Sequence, residues 1–326
     1  MTRILIGTDF HLVKSPRNEE EADRLLRMQR MIDREKGNVD LVVNNGDLND
    51  GIDSRADGLQ HLKDGHAILA KAGVPVMHIM GNHDFNSNYA GQHQVNGKYQ
   101  KSDWIFPSDL YDVVKDNMSQ YPFSITDHGK QKMYSSIDVG NIRVIGLSEY
   151  DVSGVTDTDT DVNDVAFNQP AIGRQQFQWL VGQLSSLSDD MQILLVYHVP
   201  MFKSAHVPKN KDNYLALIRA FNESTLWSGV KEVEDTYFDL TGLTANFAGK
   251  RQGRLLGCIS GHEHTDGMTY IDGIPHFMRL CMRDDWQFSK IPRKRKWGTD
   301  LAYDIAEVID GKLQIKRIGA GDSVIL

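Results

Sequence analysis

Five short polar clusters carry the side chains that could do chemistry: GTDFH around Asp9 and His11, NNGDLND around Asp47 and Asp50, GNHDF around Asn82 and His83, YHVP at His198, and SGHEH around His262 and His264. Carboxylate oxygen together with imidazole nitrogen suits borderline divalent ions such as manganese, iron or zinc. Cysteine is missing from the set, which disfavours a structural zinc site. Asp9 with His11, and His262 with His264, are spaced i, i+2, so in an extended segment each pair aims two donor atoms at one point. Singly, each residue has an ordinary structural reading: Asp9, Asp47 and Asn82 as turn formers, and His198 as a satisfied histidine at a strand end. Jointly, these readings are improbable as coincidence, and a common site accounts for all of them.

Clusters so far apart in sequence meet only if the fold delivers them to one place. Apolar β-like runs alternate with amphipathic stretches in the first third of the chain, the pattern of a parallel sheet with crossover helices. RILIG (3–7), DLVVNN (40–45) and VPVMHIM (74–80) read as strands. One helix between them places Ala22, Leu25, Leu26, Met28 and Ile32 on a face and stops at Gly37; the next carries Leu59, Leu62 and Leu69 and ends near Gly73. KMYSSIDVGNIRVIGL predicts a hairpin turning at Gly140 and Asn141, and Phe177, Leu180, Val181 and Leu184 have the spacing of a core-facing helix. MQILLVYH (191–198) and RLLGCIS (254–260) are further strands, with a helical stretch over 211–222 between them. AYDIAEVIDGKLQIKRIG closes as a hairpin at Asp310 and Gly311. Every polar cluster falls at the carboxyl end of such a strand, where open α/β sheets bind their ligands. The chain reads as one domain, 1–326, with an insertion over the site rather than core at 85 to about 130 and an acidic loop at 150–168.

In this order the five clusters resemble the signature of the calcineurin-like metallophosphoesterase superfamily, across residues 9 to 264. The resemblance implies an α/β fold of four layers, α/β/β/α, with mixed sheets flanked by helices. It also implies that Asp9, His11 and His264 hold one divalent metal, Asn82, His198 and His262 hold a second, and Asp47 bridges them. The ions would be manganese, iron or zinc. A shared hydroxide would attack the phosphorus of a phosphate ester, with a slight preference for diesters, because the family's GNHD histidine, here His83, can assist an alkoxide leaving group. Asp50 matches the family aspartate that orients this imidazole, and Asp84 follows as a supporting partner or loop cap. The ending IKRIGAGDS is similar to the ends of metallophosphoesterases from Gram-positive bacteria and their prophages, which would make the protein phage-associated.

Other features have competing readings. Asp157, Asp159 and Asp161 alternate as calcium ligands would, but the loop lacks the glycine and the final glutamate of an EF-hand and reads as solvated. His78 and His276 lie inside apolar strands and read as structural, while His61, His66, His93 and His128 read as surface positions. His206, just after the His198 cluster, is a candidate for facing substrate. Arg293 and Arg295, within KIPRKRKW (290–297), are either part of a solvated loop or a rim that attracts a polyanionic substrate.

The 326 residues, 40% of them hydrophobic, can fill a core without disulfides, and Cys258 and Cys281 sit in apolar runs as buried thiols. With no apolar run of membrane-spanning length and no leader at Met1, the chain reads as a soluble cytoplasmic protein with no membrane partner. A formal net charge of −8 disfavours a stable nucleic-acid partner, since backbone binding needs a basic surface. It leaves small phosphate-ester substrates open, because two divalent ions add roughly +4 locally. Three alternatives stay in view: a phosphomonoesterase, a repair-type nuclease on the same fold, and a non-catalytic phage or scaffold protein that keeps the fold. The last would be marked by lost ligands, and none is lost. Oligomeric state is not legible in the sequence.

Overall fold

A computed structural model of the chain describes residues 2–14, 23–96, 100–152, 170–202, 207–283, 293 and 300–325. Its first sheet contains strands β1 (Arg3–Gly7), β2 (Leu41–Asn45) and β3 (Val76–Ile79), which run parallel and are joined by α1 (Arg24–Glu35) and α2 (Arg55–Ala70). Then follow α3 (Ser87–Gln92), α4 (Pro107–Met118) and α5 (Asp127–Lys132). The second sheet is built from β4 (Ser135–Val139), β5 (Ile142–Gly146), β6 (Gln192–Val196), β9 (Leu255–Ser260), β10 (Gly267–Ile271) and β11 (Ile274–Met278), with α6 (Arg174–Ser185) and α7 (Lys211–Glu223) between its strands. A small ribbon, β7 (Leu226–Ser228) with β8 (Thr244–Asn246), stands apart. The chain then returns to the first sheet as β12 (Ala302–Ile309), β13 (Lys312–Gly319) and β14 (Val324–Ile325).

The strand orders are β14-β13-β12-β1-β2-β3 and β10-β11-β9-β6-β5-β4, and each sheet mixes parallel with antiparallel pairs. Alternation of side chains along the strands explains the layers. Ile4, Ile6, Leu41 and Val43 face Val144, Leu194, Val196 and Ile259 in an apolar layer between the sheets. The intervening Leu5 and Val42 pack outward on Met28, Met31, Ile32, Leu62 and Leu69 of α1 and α2. Across the molecule, Ile193 and Leu195 pack on Phe177, Leu180, Leu217 and Phe221 of α6 and α7. The four-layer α/β/β/α arrangement read from the resemblance is therefore present.

Two local expectations need correction. Helix α1 buries Arg24, Arg27, Met28, Met31, Ile32 and Glu35, while Leu25 and Leu26 lie exposed. The stripe is rotated because the guanidinium of Arg24 finds the main-chain oxygen of His11 as a buried acceptor. The stretch 85–130 also contributes to the core: Phe85, Trp104, Ile105, Phe106, Leu110, Val114 and Met118 join the cluster beneath α1 and α2. Within α4 the buried Leu110, Val114 and Met118 are spaced i, i+4, i+8, the stripe of a core-facing helix. The acidic-loop aspartates Asp157, Asp159 and Asp161 lie outside the described residues.

Candidate metal centre

The carboxyl ends of β1, β2, β3, β6 and β9 meet at one edge of the two sheets, and the loops there are tied to one another by main-chain bonds. Asp9 N donates to Gly46 O at 3.0 Å, His11 N to Asp47 O at 2.9 Å, and Gly261 N to His198 O at 2.9 Å. The pairwise aim of Asp9/His11 and His262/His264 does not come from extended backbone, as the i, i+2 spacing predicts. β1 stops at Gly7 and β9 at Ser260, and Asp9, His11, Asp47, His262 and His264 adopt φ values of 56°, 52°, 55°, 70° and 53°. The left-handed region is uncommon for residues with a Cβ, and it persists where surrounding contacts over-determine it. Turning the chain back at each donor is what makes the side chains converge.

Three donor groups result: His11, Asp50 and His83 make up one, and the other two share Asp47. Asp9, His11, Asp47 and His264 form one and Asp47, His198 and His262 the other, with ligand atoms inside each group within 4.8 Å of one another. Asn82 joins the second, its Oδ1 lying 2.9 Å from His262 Nδ1 and 3.3 Å from His198 Nε2. Asp47 Oδ2 is 3.2 Å from His198 Nε2 and 3.8 Å from His11 Nε2. Asp9 Oδ1 is buried 3.2 Å from His264 Nε2 without the geometry of a hydrogen bond. A buried carboxylate oxygen ringed by imidazole nitrogens is what a cation would complete, so these residues fit a pair of divalent ions.

Electrostatics agree with that. Burial works against ionising Asp9, yet His264 and His198 hold its carboxyl at about 2. Asp47, equally buried, is held well below the carboxylate range by His198, His83 and His11. Burial also opposes protonating His198, but Asp47 and Asp9 raise it to about 10; His264 is raised well above the usual imidazole range by Asp9. His11 and His262 are pushed down to about 4 by burial. Two carboxylates thus sit against two imidazolium ions, and divalent ions would take the place of those protons.

Around the donors stand residues that fix them. Asp84 accepts from the main-chain N–H of Asp47 and of Gly81, both at 2.9 Å, and of Asn49 at 2.8 Å, which is the loop-cap role read from its position. Burial and the neighbouring Asp47 push its carboxyl up to about 7. Thr8 Oγ1 donates to Asp9 Oδ2 at 2.6 Å. Glu149, which belongs to none of the five polar clusters, lies just beyond β5 and accepts from His198 N at 3.1 Å and Val199 N at 2.7 Å. The strand-end position that marks the donors marks Glu149 too, three residues after β5 ends at Gly146.

Asp50 and His83 are paired differently from the family pattern. The Asp50 carboxylate lies 3.1 Å from His11 Nδ1 and 3.8 Å from His83 Nδ1, which instead sits 2.7 Å from the main-chain oxygen of Asp50. Arg24 and Arg283 flank the carboxylate at 3.5 Å and 3.6 Å. The His83 ring meets His11 edge to face, with centroids 4.6 Å apart. The Arg293 guanidinium donates to the main-chain oxygens of Cys281 and Met282. His206 and Arg295 lie outside the described residues. Of the histidines read as surface positions, His61 is buried with Nδ1 3.0 Å from Asn49 Oδ1, and His66 is half-buried against His78. His78 and His276 are buried, and so are the free thiols Cys258 and Cys281.

This fold and this edge define a class, and comparison with known proteins names it. A family model of calcineurin-like phosphoesterases matches residues 2–266, and the chain belongs to that family. It is a metal-dependent phosphoesterase. A dimetal phosphatase from Danio rerio is similar in structure with a TM-score of 0.66 at 15% identity, over 99% of this chain and 98% of that one. The GAP50 anchor of the Plasmodium inner membrane complex aligns with a TM-score of 0.49 at 13% identity, over 100% and 86%. A purple acid phosphatase from yellow lupin (Lupinus luteus) aligns with 0.48 at 13%, over 100% and 52%. No curated protein matches the chain. Among the described residues no helix is long and apolar enough to cross a membrane.

Proposed function

We propose that this phosphoesterase is a dinuclear enzyme with a preference for phosphodiesters and that residues 1–326 serve as one catalytic domain. In this reading Asp9, His11 and His264 hold one divalent ion, Asn82, His198 and His262 hold the other, and Asp47 serves both. The observation that carries it is Asp47, whose carboxylate belongs to two of the donor groups. Two ions held there would supply Lewis acidity toward phosphate oxygens and lower the pKa of nearby water. Manganese, iron and zinc all suit nitrogen and oxygen donors of this kind.

His83 handles the leaving group. A carbonyl only accepts, so in the contact with the Asp50 main-chain oxygen His83 Nδ1 is the donor. The side chain is 21% exposed, the opening a substrate needs. As an imidazolium it would pass the Nε2 proton to the departing alkoxide, which is the basis for favouring diesters. The buried carboxylates of Asp84 and Glu149 hold the loops of Asp47 and His198 in place, so that the donors need no rearrangement when substrate arrives.

The test is hydrolysis of bis(p-nitrophenyl) phosphate and p-nitrophenyl phosphate by metal-stripped protein reloaded with manganese, iron or zinc, beside Asp47→Asn. Metal-dependent turnover that is faster on the diester and lost in the variant is expected. Preference for the monoester would remove the diester assignment, and full activity with one ion per chain would remove the dinuclear one.

A further inference from the structure

The loop bearing His262 and His264 spans residues 261–266, and its two ends are held in different ways. At its start, Gly261 N donates to His198 O and His262 N to Asp9 Oδ2 at 3.2 Å, contacts internal to the site. Its end is held by a charge network that the site does not contain. Asp266 Oδ1 lies 2.9 Å from Arg317 Nη2 and 3.3 Å from Arg279 Nη1, and also accepts from Leu280 N at 2.9 Å. Both arginines then grip Asp304: Arg279 through Nε and Nη2, each at 2.8 Å, and Arg317 through Nε at 2.8 Å and Nη2 at 3.1 Å. Their remaining donors are used as well, Arg279 Nη2 on Asp322 O and Arg317 Nη1 on Ala320 O, both at 2.8 Å.

Asp304 and Arg317 lie on β12 and β13 of the first sheet, whereas Arg279 and Asp266 flank the β10–β11 hairpin of the second. The network therefore joins the two sheets immediately behind the loop. All three of Arg279, Asp304 and Arg317 are buried. Four charged groups in such a place are a poor way to gain stability, because desolvation consumes most of the attraction; what well-formed pairs can provide is a fixed arrangement. A fixed arrangement is what this loop needs, since His262 and His264 both occupy left-handed conformations that persist only under constraint.

We infer that Arg279, Asp304 and Arg317, which all lie beyond the family match at 2–266, are positioning residues that set the His262–His264 loop for metal through Asp266. The inference rests on the dinuclear reading. Its consequence is that the C-terminal hairpin is part of the metal site's support.

The experiment is calorimetric titration of metal-stripped protein with manganese, comparing wild type, Asp304→Asn, Arg317→Lys and Phe221→Leu, with folding checked by near-ultraviolet circular dichroism. Phe221 lies in the outer core of the other sheet and controls for general destabilisation. Asp304→Asn and Arg317→Lys should remain folded yet bind manganese roughly 10–100-fold more weakly, the usual effect of losing a group that orients ligands. Phe221→Leu should keep wild-type affinity despite its lower Tm. Should Asp304→Asn not fold, Arg317→Lys, which keeps the charge and loses the fork, decides the matter. Wild-type affinity in a folded clamp variant, or an equal loss in Phe221→Leu, overturns the inference. Fewer than two ions taken up by wild type would instead bring down the dinuclear reading, and this inference with it.

Discussion

His11 Nε2 and His264 Nε2 face each other at 3.1 Å, and the opposite nitrogen of His11 rests on the carboxylate of Asp50 at 3.1 Å. An ionised carboxylate only accepts, so His11 Nδ1 carries the proton and Nε2 presents its lone pair to the site. This is the carboxylate–histidine arrangement that fixes a metal-binding tautomer and raises ligand basicity. Asp50 thus meets His11 through its carboxylate and His83 through its main-chain oxygen.

Asp50→Asn should accordingly weaken metal binding by roughly 10–100-fold, measured by competition with a chelating dye. The pH dependence of kcat should change little at saturating metal. Unaltered affinity with a shifted pH limb would return Asp50 to the role its family position implies, as the orienter of His83.

His83→Ala separates proton donation from ligation. With metal content intact by mass spectrometry, kcat should fall by about 10²–10⁴-fold. The loss should be greater for a methyl or ethyl diester than for a p-nitrophenyl diester, because a basic alkoxide needs the proton and a nitrophenolate does not. Equal losses on both would assign His83 to charge stabilisation instead.

Gly81 stands where a side chain cannot: an added Cβ would lie 2.1 Å from Asp47 Oδ1. Asp47 is shared by two of the donor groups, so Gly81→Ala should lower occupancy of both ions together while leaving far-ultraviolet circular dichroism unchanged. Selective loss of a single ion would contradict the shared placement of Asp47.

The outline of this site was legible because strand ends announce themselves: an apolar run such as LVV or ILLV followed by Gly, Asp, Asn or His needs no tertiary knowledge. Donor types were legible for the same reason. What could not be read was how the donors converge, since residue spacing suggests extended backbone at Asp9 and His11, whereas main-chain bonds to Gly46 and Asp47 turn them into the left-handed region. Nor could the division of labour around Asp50, because a carboxylate three residues beyond a ligand reaches either histidine, and only the packed loops decide which. The exposed Leu25 and Leu26 teach a related lesson. Hydrophobic periodicity assumes that arginine faces water, and it fails where a buried carbonyl such as that of His11 offers a guanidinium a partner.

The Asp304 network makes a prediction about acid stability that is independent of turnover. Burial pushes this carboxyl up, but Arg279 and Arg317 outweigh it and hold the group at about 2, against 3.8 for an unperturbed aspartate. A depressed carboxyl binds its proton more readily in the unfolded chain. Its contribution to stability is thus complete above about pH 4 and is lost as pH falls toward 2. The difference of nearly two pKa units corresponds to about 2 kcal/mol. In urea titrations of metal-stripped protein, wild type should exceed Asp304→Asn in stability at pH 6, and the gap should narrow by about this amount between pH 4 and pH 2. Other carboxylates titrate in both proteins and cancel in the comparison. A gap that stays constant over that interval would mean that Asp304 is not held ionised by the two arginines, and that the network binds the sheets by shape alone.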